Sequence, residues 1–510
     1  MSEKKSDRPI RVAFIHPDLG IGGAERLVVD AALGLQEKGY EVKMFTSHCD
    51  KSHCFEEIKD GTLKVEVFGD HIPRNFKKKF FIVFANLRQL FLIWKLRSTG
   101  QLDHYDLFII DELSTCLPFL HLFSDAKLFF YCHFPDKFMS IRNSLLKSLY
   151  RIPFDLMEQF SLSCADKVVV NSNFTKSMYH KAFNLLRTEP DVIYPCVDLS
   201  PVPIDDIDQK LFNHMFNSDD KFFLSINRYE GKKNVKLALR AFASSKAKSD
   251  ENYKLVISGG YDPRVHENVE NLLELEKEAK ALKLPYSIVS YADFDKKHDF
   301  DSIDTKDKKI IFLTSISTSL KELLLSKSEM LMYTPTNEHF GIVPLEAMKY
   351  GVPVLATNTG GPLETVVSYI PNVNEKEATG WLRASIPGSW ANVIDAFMEG
   401  PDIDFKANGE KQVKSKFTRD VMTWSFEENI DKILWTKKSK LFWENILYSF
   451  LRLLLHFLII KIKPDASLPF LFLGTVSFLY FKDFIGTLYW LFMFVLTSEM
   501  FSNYLSDYTN

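Results

Sequence analysis

The sequence is short of cysteine, of any excess charge, and of nucleotide-binding glycine signatures of the usual kind. Its six cysteines, Cys49, Cys54, Cys116, Cys132, Cys164 and Cys196, are scattered over 510 residues without a Cys-x-x-Cys pair. That spacing argues against a disulfide framework or a zinc site and predicts reduced, mostly buried thiols. With 63 Lys and Arg against 66 Asp and Glu, the formal net charge is only −3, so there is no global basic field for nucleic acid. The first strand–turn–helix carries Gly20-Ile21-Gly22-Gly23 rather than Gly-x-Gly-x-x-Gly, and no acidic ribose binder cleanly follows the second strand, which weighs against a nicotinamide-dependent oxidoreductase. Met1 to Asp7 is polar and leads directly into a short apolar strand without a signal-type cleavage site, so the catalytic part is expected to face the cytosol. There is no tandem repeat and no low-complexity tract.

What is present begins with length. A chain of 510 residues exceeds what one hydrophobic core usually supports, so at least two domains are expected. Charged residues make up 25% of it, which excludes a wholly disordered chain or a many-span membrane protein. The run from Ile10 to Ile15, the glycine turn, a helical stretch from Ala24 to about Lys38, Gly39, and a strand from Tyr40 to Thr46 make a βαβ unit. Further strands are predicted at 107–110, 127–131, 167–171 and 191–194, followed by a polar linker-like stretch from Pro195 to about Asp220. A second α/β series is predicted with strands at 221–226, 253–258, 287–290, 309–313, 330–333 and 352–356, and an exposed insertion from Asp293 to Lys309. Two successive doubly wound domains predict a ligand cleft at the carboxyl ends of their strands.

Phenylalanine is abundant, with 44 copies, and 11 of them lie in residues 441–510 together with only nine charged residues. Three apolar blocks, Ile446–Ile460, Ala466–Phe481 and Phe484–Ser498, are each 15 or 16 residues long. As helices they would reach about 24 Å, short of the roughly 30 Å hydrocarbon core, which fits an interfacial helix plus a helical hairpin better than three spans. Three buried helices of a soluble domain are the alternative. From His71 to Leu102 there is no acidic residue but seven basic ones, interleaved with Phe80, Phe81, Leu87, Phe91 and Trp94 among others. This segment suits an anionic membrane surface, or an ordinary helix packed on the sheet.

The chemistry concentrates in Thr334 to Met348. Glu338 and Glu346 are separated by seven residues, Pro344 suits a helix's first turn, and Gly351 stops it. Glu338 is therefore expected in the loop leaving a strand and Glu346 in the first turn of the following helix. Free N–H groups around Gly341, Ile342, Val343 and Leu345 suit a diphosphate. The loop carboxylate can accept from sugar hydroxyls and the helical one from ribose hydroxyls.

This Glu-x7-Glu arrangement in a second Rossmann-like domain resembles the retaining glycosyltransferases of family 4, which have the two-domain GT-B fold. Three further stretches agree in order: Gly20 to Glu25, Asn171-Ser172 with Ile193 to Asp198, and Asn227-Arg228-Tyr229-Glu230-Gly231-Lys232-Lys233-Asn234. The resemblance covers roughly residues 10–435. Within the family, Tyr131 to Asp136, Ile226 to Asn234 and Asn337 to Gly341 are similar to the branch that adds mannose to dolichol-linked oligosaccharides, and the apolar tail matches its membrane attachment.

The resemblance implies GDP-mannose as donor and Man-GlcNAc2-diphosphodolichol as acceptor, with an α-1,3 and then an α-1,6 mannose added at the cytosolic face of the endoplasmic reticulum membrane. Partners are then the membrane, the dolichol-diphosphate-linked oligosaccharide and other enzymes of the same route, and not nucleic acid. It implies residues 1–198 as acceptor domain (71–102 facing the membrane), 199–420 as nucleotide-sugar domain, 421–440 as connecting helix and 441–510 as membrane attachment.

Arg228 and Lys233, with Lys232 as substitute, are the cations for the leaving diphosphate. Glu338, His339 and His133 are the groups at the sugar, and Gly22, Gly23, Gly341, Ile342, Val343 and Glu346 complete the donor site; Asp136 and Asp18 are weaker acceptor-side candidates. No Asp-x-Asp pair stands at a suitable strand end, so neither a metal nor another cofactor is expected. Two alternatives remain open: a related lipid-linked transferase using a UDP-sugar, and a non-catalytic membrane scaffold of the same fold.

Overall fold

The computed structural model describes residues 8–436 except 78, 141, 143 and 185, together with isolated positions 473, 490 and 491. The three C-terminal apolar blocks therefore fall almost wholly outside the described residues. Among the described residues no helix is long and apolar enough to cross a membrane. The chain divides into two compact units, one comprising residues up to Asn171, Thr175–Ile193 and the chain from Thr423, the other comprising Ser172–Phe174 and Tyr194–Met422.

The described part of the first unit is a parallel sheet of seven strands: β1 (Arg11–Leu19), β2 (Glu41–Cys49), β3 (Val65–Val67), β4 (Leu107–Asp111), β5 (Lys127–Cys132), β6 (Lys167–Val170) and β7 (Asp191–Val192). Their order is β3-β2-β1-β4-β5-β6-β7, a doubly wound sheet whose direction of winding reverses between β1 and β4. Strands β4 and β5 are buried along their whole length, as expected of strands covered by helices on both faces. The short β3 was not predicted, because Val-Glu-Val carries too few apolar residues to stand out. The helix Phe81–Ser98 packs Leu92, Ile93 and Leu96 into the core while Phe81, Leu87 and Trp94 stay exposed. Its Arg88, one of the seven basic residues of that segment, is not on the outer face: it is buried and bonds Asp18 at 2.7 Å. The helix Arg419–Leu434 returns to this unit, where Phe426 packs against Phe129 and Tyr131.

The second unit repeats the plan with β8 (Lys221–Ile226), β9 (Tyr253–Gly259), β10 (Tyr286–Ser290), β11 (Ile310–Thr314), β12 (Met330–Tyr333), β13 (Val354–Thr357) and β14 (Gly380–Arg383). Their order is β10-β11-β9-β8-β12-β13-β14, all parallel, so winding reverses between β8 and β12. Alternate residues feed two cores: Leu224, Val256, Ile311 and Val354 on one face, Phe223, Leu255, Phe312 and Leu355 on the other.

The stretch expected as a linker is partly folded. Asp206–Met215 is a helix capped by the Asp205 carboxylate, and it buries Leu211 and Met215 in the second core. The Asp- and Lys-rich stretch is largely exposed, yet it begins within the helix Tyr291–Lys297 and is tied down where Thr305 donates to the Met215 carbonyl at 2.9 Å. All six cysteines are free thiols, five buried and Cys49 half-buried.

Candidate functional site

In a doubly wound sheet the loops at the winding reversal splay apart and leave a crevice beyond the strands' carboxyl ends. In the second unit those loops follow β8 and β12, and they carry most of the predicted residues. The β8 loop runs from Asn227 through the short turn Gly231–Lys233 to Asn234, which takes a left-handed backbone (φ 50°). Buried Tyr229 fastens this loop by donating its hydroxyl to the carbonyls of Ile257 and Leu313 at 3.0 and 3.2 Å. Gly259 lets it pass: a Cβ there would lie 1.9 Å from the Asn227 carbonyl oxygen.

The β12 loop carries Glu338. Its carboxylate accepts from Lys233 Nζ at 2.6 Å, so the two reversal loops are joined by a half-buried ion pair, with Glu338 24% exposed. A second bond joins them, from Thr334 Oγ1 to the Lys233 carbonyl at 2.7 Å. Phe340 is buried, stacks with Tyr194 and packs at a tilt against Phe417, an anchor between His339 and Gly341. The loop following β13 holds it from the other side. Thr357 Oγ1 donates to the Pro335 carbonyl, Thr359 Oγ1 accepts from the Asn337 N–H, and the Gly361 N–H donates to the Glu338 carbonyl. A Cβ on Gly361 would stand 2.0 Å from the Phe340 carbonyl oxygen, so only glycine fits. Sequence reasoning missed this support, although Thr357-Asn358-Thr359-Gly360-Gly361-Pro362 is a turn signal that could have pointed to it.

Gly341 turns left-handed (φ 89°) and starts the helix Ile342–Lys349. The N–H groups of Ile342, Val343 and Leu345 lie in its first turn; Pro344 has none to offer. Glu346 is not in that turn, contrary to expectation: it is the helix's fifth residue, because the helix begins only after the Gly341 kink. Its carboxylate takes a 2.8 Å bond from Lys321 Nζ. Burial opposes the charge on Lys321, but Glu346 and Glu322 outweigh it and raise the ammonium above its ordinary value.

Arg228 is 69% exposed, with Glu230 at 3.4 Å, and Lys232 also contacts Glu230, at 3.1 Å. Neither shares the Lys233–Glu338 pair. His339 is half-buried, and its carbonyl accepts from Ser172 Oγ at 2.5 Å.

In the first unit the winding reversal brings different groups together. His16 on β1, Asp111 at the end of β4 and His133 just beyond β5 form a hydrogen-bonded row. His16 Nδ1 lies 2.9 Å from both Asp111 oxygens, and His133 Nε2 lies 2.9 Å from Asp111 Oδ2. The exposures are 1% for His16, 2% for Asp111 and 16% for His133. Burial alone would favour a neutral His16, but Asp111 overrides it and lifts the imidazole to about 9. Burial likewise works to raise Asp111, yet His16 and His133 hold it below the ordinary carboxylate range. Of these three only His133 was predicted. Asn171 Nδ2 supports it by donating to its carbonyl at 2.9 Å.

Gly22 precedes the helix Gly23–Glu37 in an extended conformation, φ −159°, that any residue could adopt. Nothing lies within 4 Å of where a Cβ on Gly23 would stand, so this glycine leaves open space instead of relieving backbone strain. Asp18 is taken up by Arg88 and Arg74, and Asp136 by Arg151 at 2.5 Å.

The sequence matches two family models: "Glycosyltransferase Family 4" over residues 21–201 and "Glycosyl transferases group 1" over residues 206–412. Among solved structures, sucrose-phosphate synthase from Thermosynechococcus elongatus superposes with a TM-score of 0.60 at 17% identity, covering 83% of this chain and 98% of that one. The catalytic domain of starch synthase IV from Arabidopsis thaliana gives 0.60 at 13% identity, covering 84% and 99%. These likenesses establish the GT-B type of fold, two Rossmann-like domains. Alpha-1,3/1,6-mannosyltransferase ALG2 of Saccharomyces cerevisiae is 56% identical over 95% of this chain and 97% of its own length. The protein of that name from Kluyveromyces lactis is 50% identical over 96% and 98%. With both family models matched and this identity running through nearly the whole chain, the protein belongs to the alpha-1,3/1,6-mannosyltransferase family of glycosyltransferases.

Proposed function

We propose that the protein transfers mannose with retention from GDP-mannose to Man-GlcNAc2-diphosphodolichol, first in α-1,3 and then in α-1,6 linkage. The observation that carries the reading is the Lys233–Glu338 pair at the winding reversal of the second sheet, beside the first-turn N–H groups of Ile342, Val343 and Leu345. An ammonium has three donors, so Lys233 can keep Glu338 and still reach a diphosphate oxygen. Arg228, exposed at the start of the same loop, supplies a second cation. Negative charge growing on the departing β-phosphate is stabilised by these two cations and the helix N–H groups without a metal. Glu338 and His339 act at the sugar, and Glu346 keeps acceptor capacity for the ribose beyond its bond to Lys321. Open space beside Gly23 supports an approach of substrate to the Gly22-Gly23 backbone.

In a front-face transfer the bond from C1 to the phosphate oxygen breaks while a bond from C1 to the acceptor oxygen forms on the same face. The acceptor proton passes to the departing phosphate, so no carboxylate nucleophile is needed. Residues 1–198 serve as acceptor domain and 199–420 as donor domain, joined through 421–440. Attachment to the cytosolic face of the endoplasmic reticulum through 441–510 and 71–102 fits an acceptor that is itself a lipid. Exposed Phe81, Leu87 and Trp94 on one helix and Leu145, Leu146 and Leu149 on another support such a surface.

The test is transfer to a synthetic diphospholipid trisaccharide core in purified membranes, comparing GDP-mannose with UDP-sugars and analysing the product linkages. Mannose in both α linkages, lost in Glu338→Ala, is expected; equal or better transfer from a UDP-sugar would sink the donor assignment.

A further inference from the structure

Three polar groups line up where a doubly wound sheet normally places aliphatic residues. His16 and Asp111 are both nearly inaccessible, and His16 Nε2 has no hydrogen-bond partner among the described residues. A buried ion pair is a poor source of stability, because desolvating both charges offsets most of their attraction. The row therefore calls for another explanation, and its geometry supplies one. Register puts Ile15 beside Ile110 and Asp111 beside Tyr131, so His16, Asp111 and His133 follow one another across three adjacent strands toward the loop ends. Asp111 can only accept hydrogen bonds, so His133 must donate through Nε2, and in the neutral ring the lone pair falls on Nδ1.

We propose that Asp111 and His16 are positioning residues for the transfer, holding His133 in the tautomer that offers Nδ1 as acceptor to a substrate hydroxyl. This rests on the transferase reading given above. His16 Nδ1, 2.9 Å from both Asp111 oxygens, fixes the carboxylate to which His133 Nε2 bonds. The charged groups acting on His16 are Asp111, Glu112 and Glu25, and both Asp111 and Glu112 act on His133. Without His16, Asp111 loses the bonds that orient it, and the His133 ring is held less firmly.

A double-mutant cycle in the full-length, membrane-reconstituted protein tests the assignment. Asp111→Asn is expected to lower kcat about 30-fold or more while the donor KM stays within about twofold. In a His133→Ala background the same change costs less than about twofold, since there is no imidazole left to orient. A merely structural carboxylate would cost the same factor in both backgrounds, and that result, or an undiminished kcat in Asp111→Asn, overturns the proposal.

His16→Gln reads the same role without touching Asp111. It is expected to lower kcat about fivefold with the donor KM within about twofold, and to cost less than about twofold in the His133→Ala background. An equal cost in both backgrounds, in a protein that melts like wild type, overturns the proposal as well. If wild type prefers another nucleotide sugar, the donor assignment fails and the cycle is run with that sugar, so the two readings fall separately.

Discussion

The polar cluster of the second unit is made by loops, and that of the first is made by strands. Lys233 and Glu338 sit on turns beyond β8 and β12 and remain part-exposed, held by left-handed Asn234 and Gly341 and by the glycine pair 360–361. His16 and Asp111 sit on β1 and β4 themselves, sealed from solvent. The difference lies in what each arrangement tolerates. A loop cluster depends on backbone shape, so its weak points are glycines and turn residues. A strand cluster depends on side-chain pairing in a low-dielectric core, so its weak points are charge and protonation.

Perturbing each arrangement where it is strong or weak separates the two. The largest effect is expected from Glu338→Ala, which removes the loop carboxylate and leaves Lys233 unpaired; transfer should fall on the order of 10²–10³-fold in a membrane assay. Gly361→Ala should come next, because the new Cβ meets the Phe340 carbonyl instead of a movable side chain; about 2–3 kcal/mol of stability is expected to go, read from chemical unfolding followed by a probe in the second unit. Glu346→Ala should be milder, since the carboxylate lies a turn deeper and already serves Lys321: roughly tenfold, mostly in the donor KM. Gly23→Ala is the control on the loop principle, since its conformation needs no glycine. Its stability should stay within about 0.5 kcal/mol of wild type, and an altered KM would then report crowding of a ligand, not strain.

The strand cluster predicts a pH effect in the first unit. His16 is raised from its ordinary value of 6.5 to about 9 in the folded state. A group held protonated by the fold contributes its stability fully below about pH 6.5 and loses it as pH rises through 9. Hydrogen exchange at β1 and β4 amides should therefore show their protection falling across that window, beyond the chemical increase in exchange rate. His16→Gln should flatten the trend; an equal trend in the variant would show that some other group carries it.

Much of the fold was legible because parallel strands covered on both faces read as short apolar runs separated by glycine and polar turns. The misses have physical causes. Val65–Val67 and Gly380–Arg383 are an outer strand of each sheet, where fewer apolar residues are needed and the signal fades. Asp206–Met215 was hidden by its Asp-rich start, which reads as a loop but is also what caps a helix. Arg88 looked like part of a basic outer face because composition does not register the buried contact with Asp18.

The loop cluster lies in two contiguous segments, Asn227–Asn234 and Thr334–Met348, so local spacing singled out Glu338 and Glu346, and the family resemblance pointed to Arg228 and Lys233. Local rules of turn and cap chemistry act over a few residues, and a sequence displays them directly. The row His16–Asp111–His133 spans three strands separated by long connections, and nothing near any one of them announces the others. Which strand lies beside which, and in what register, is settled by how helices pack on the sheet as a whole. That packing decided which histidine meets which carboxylate, and with it the charge state of the first unit's core.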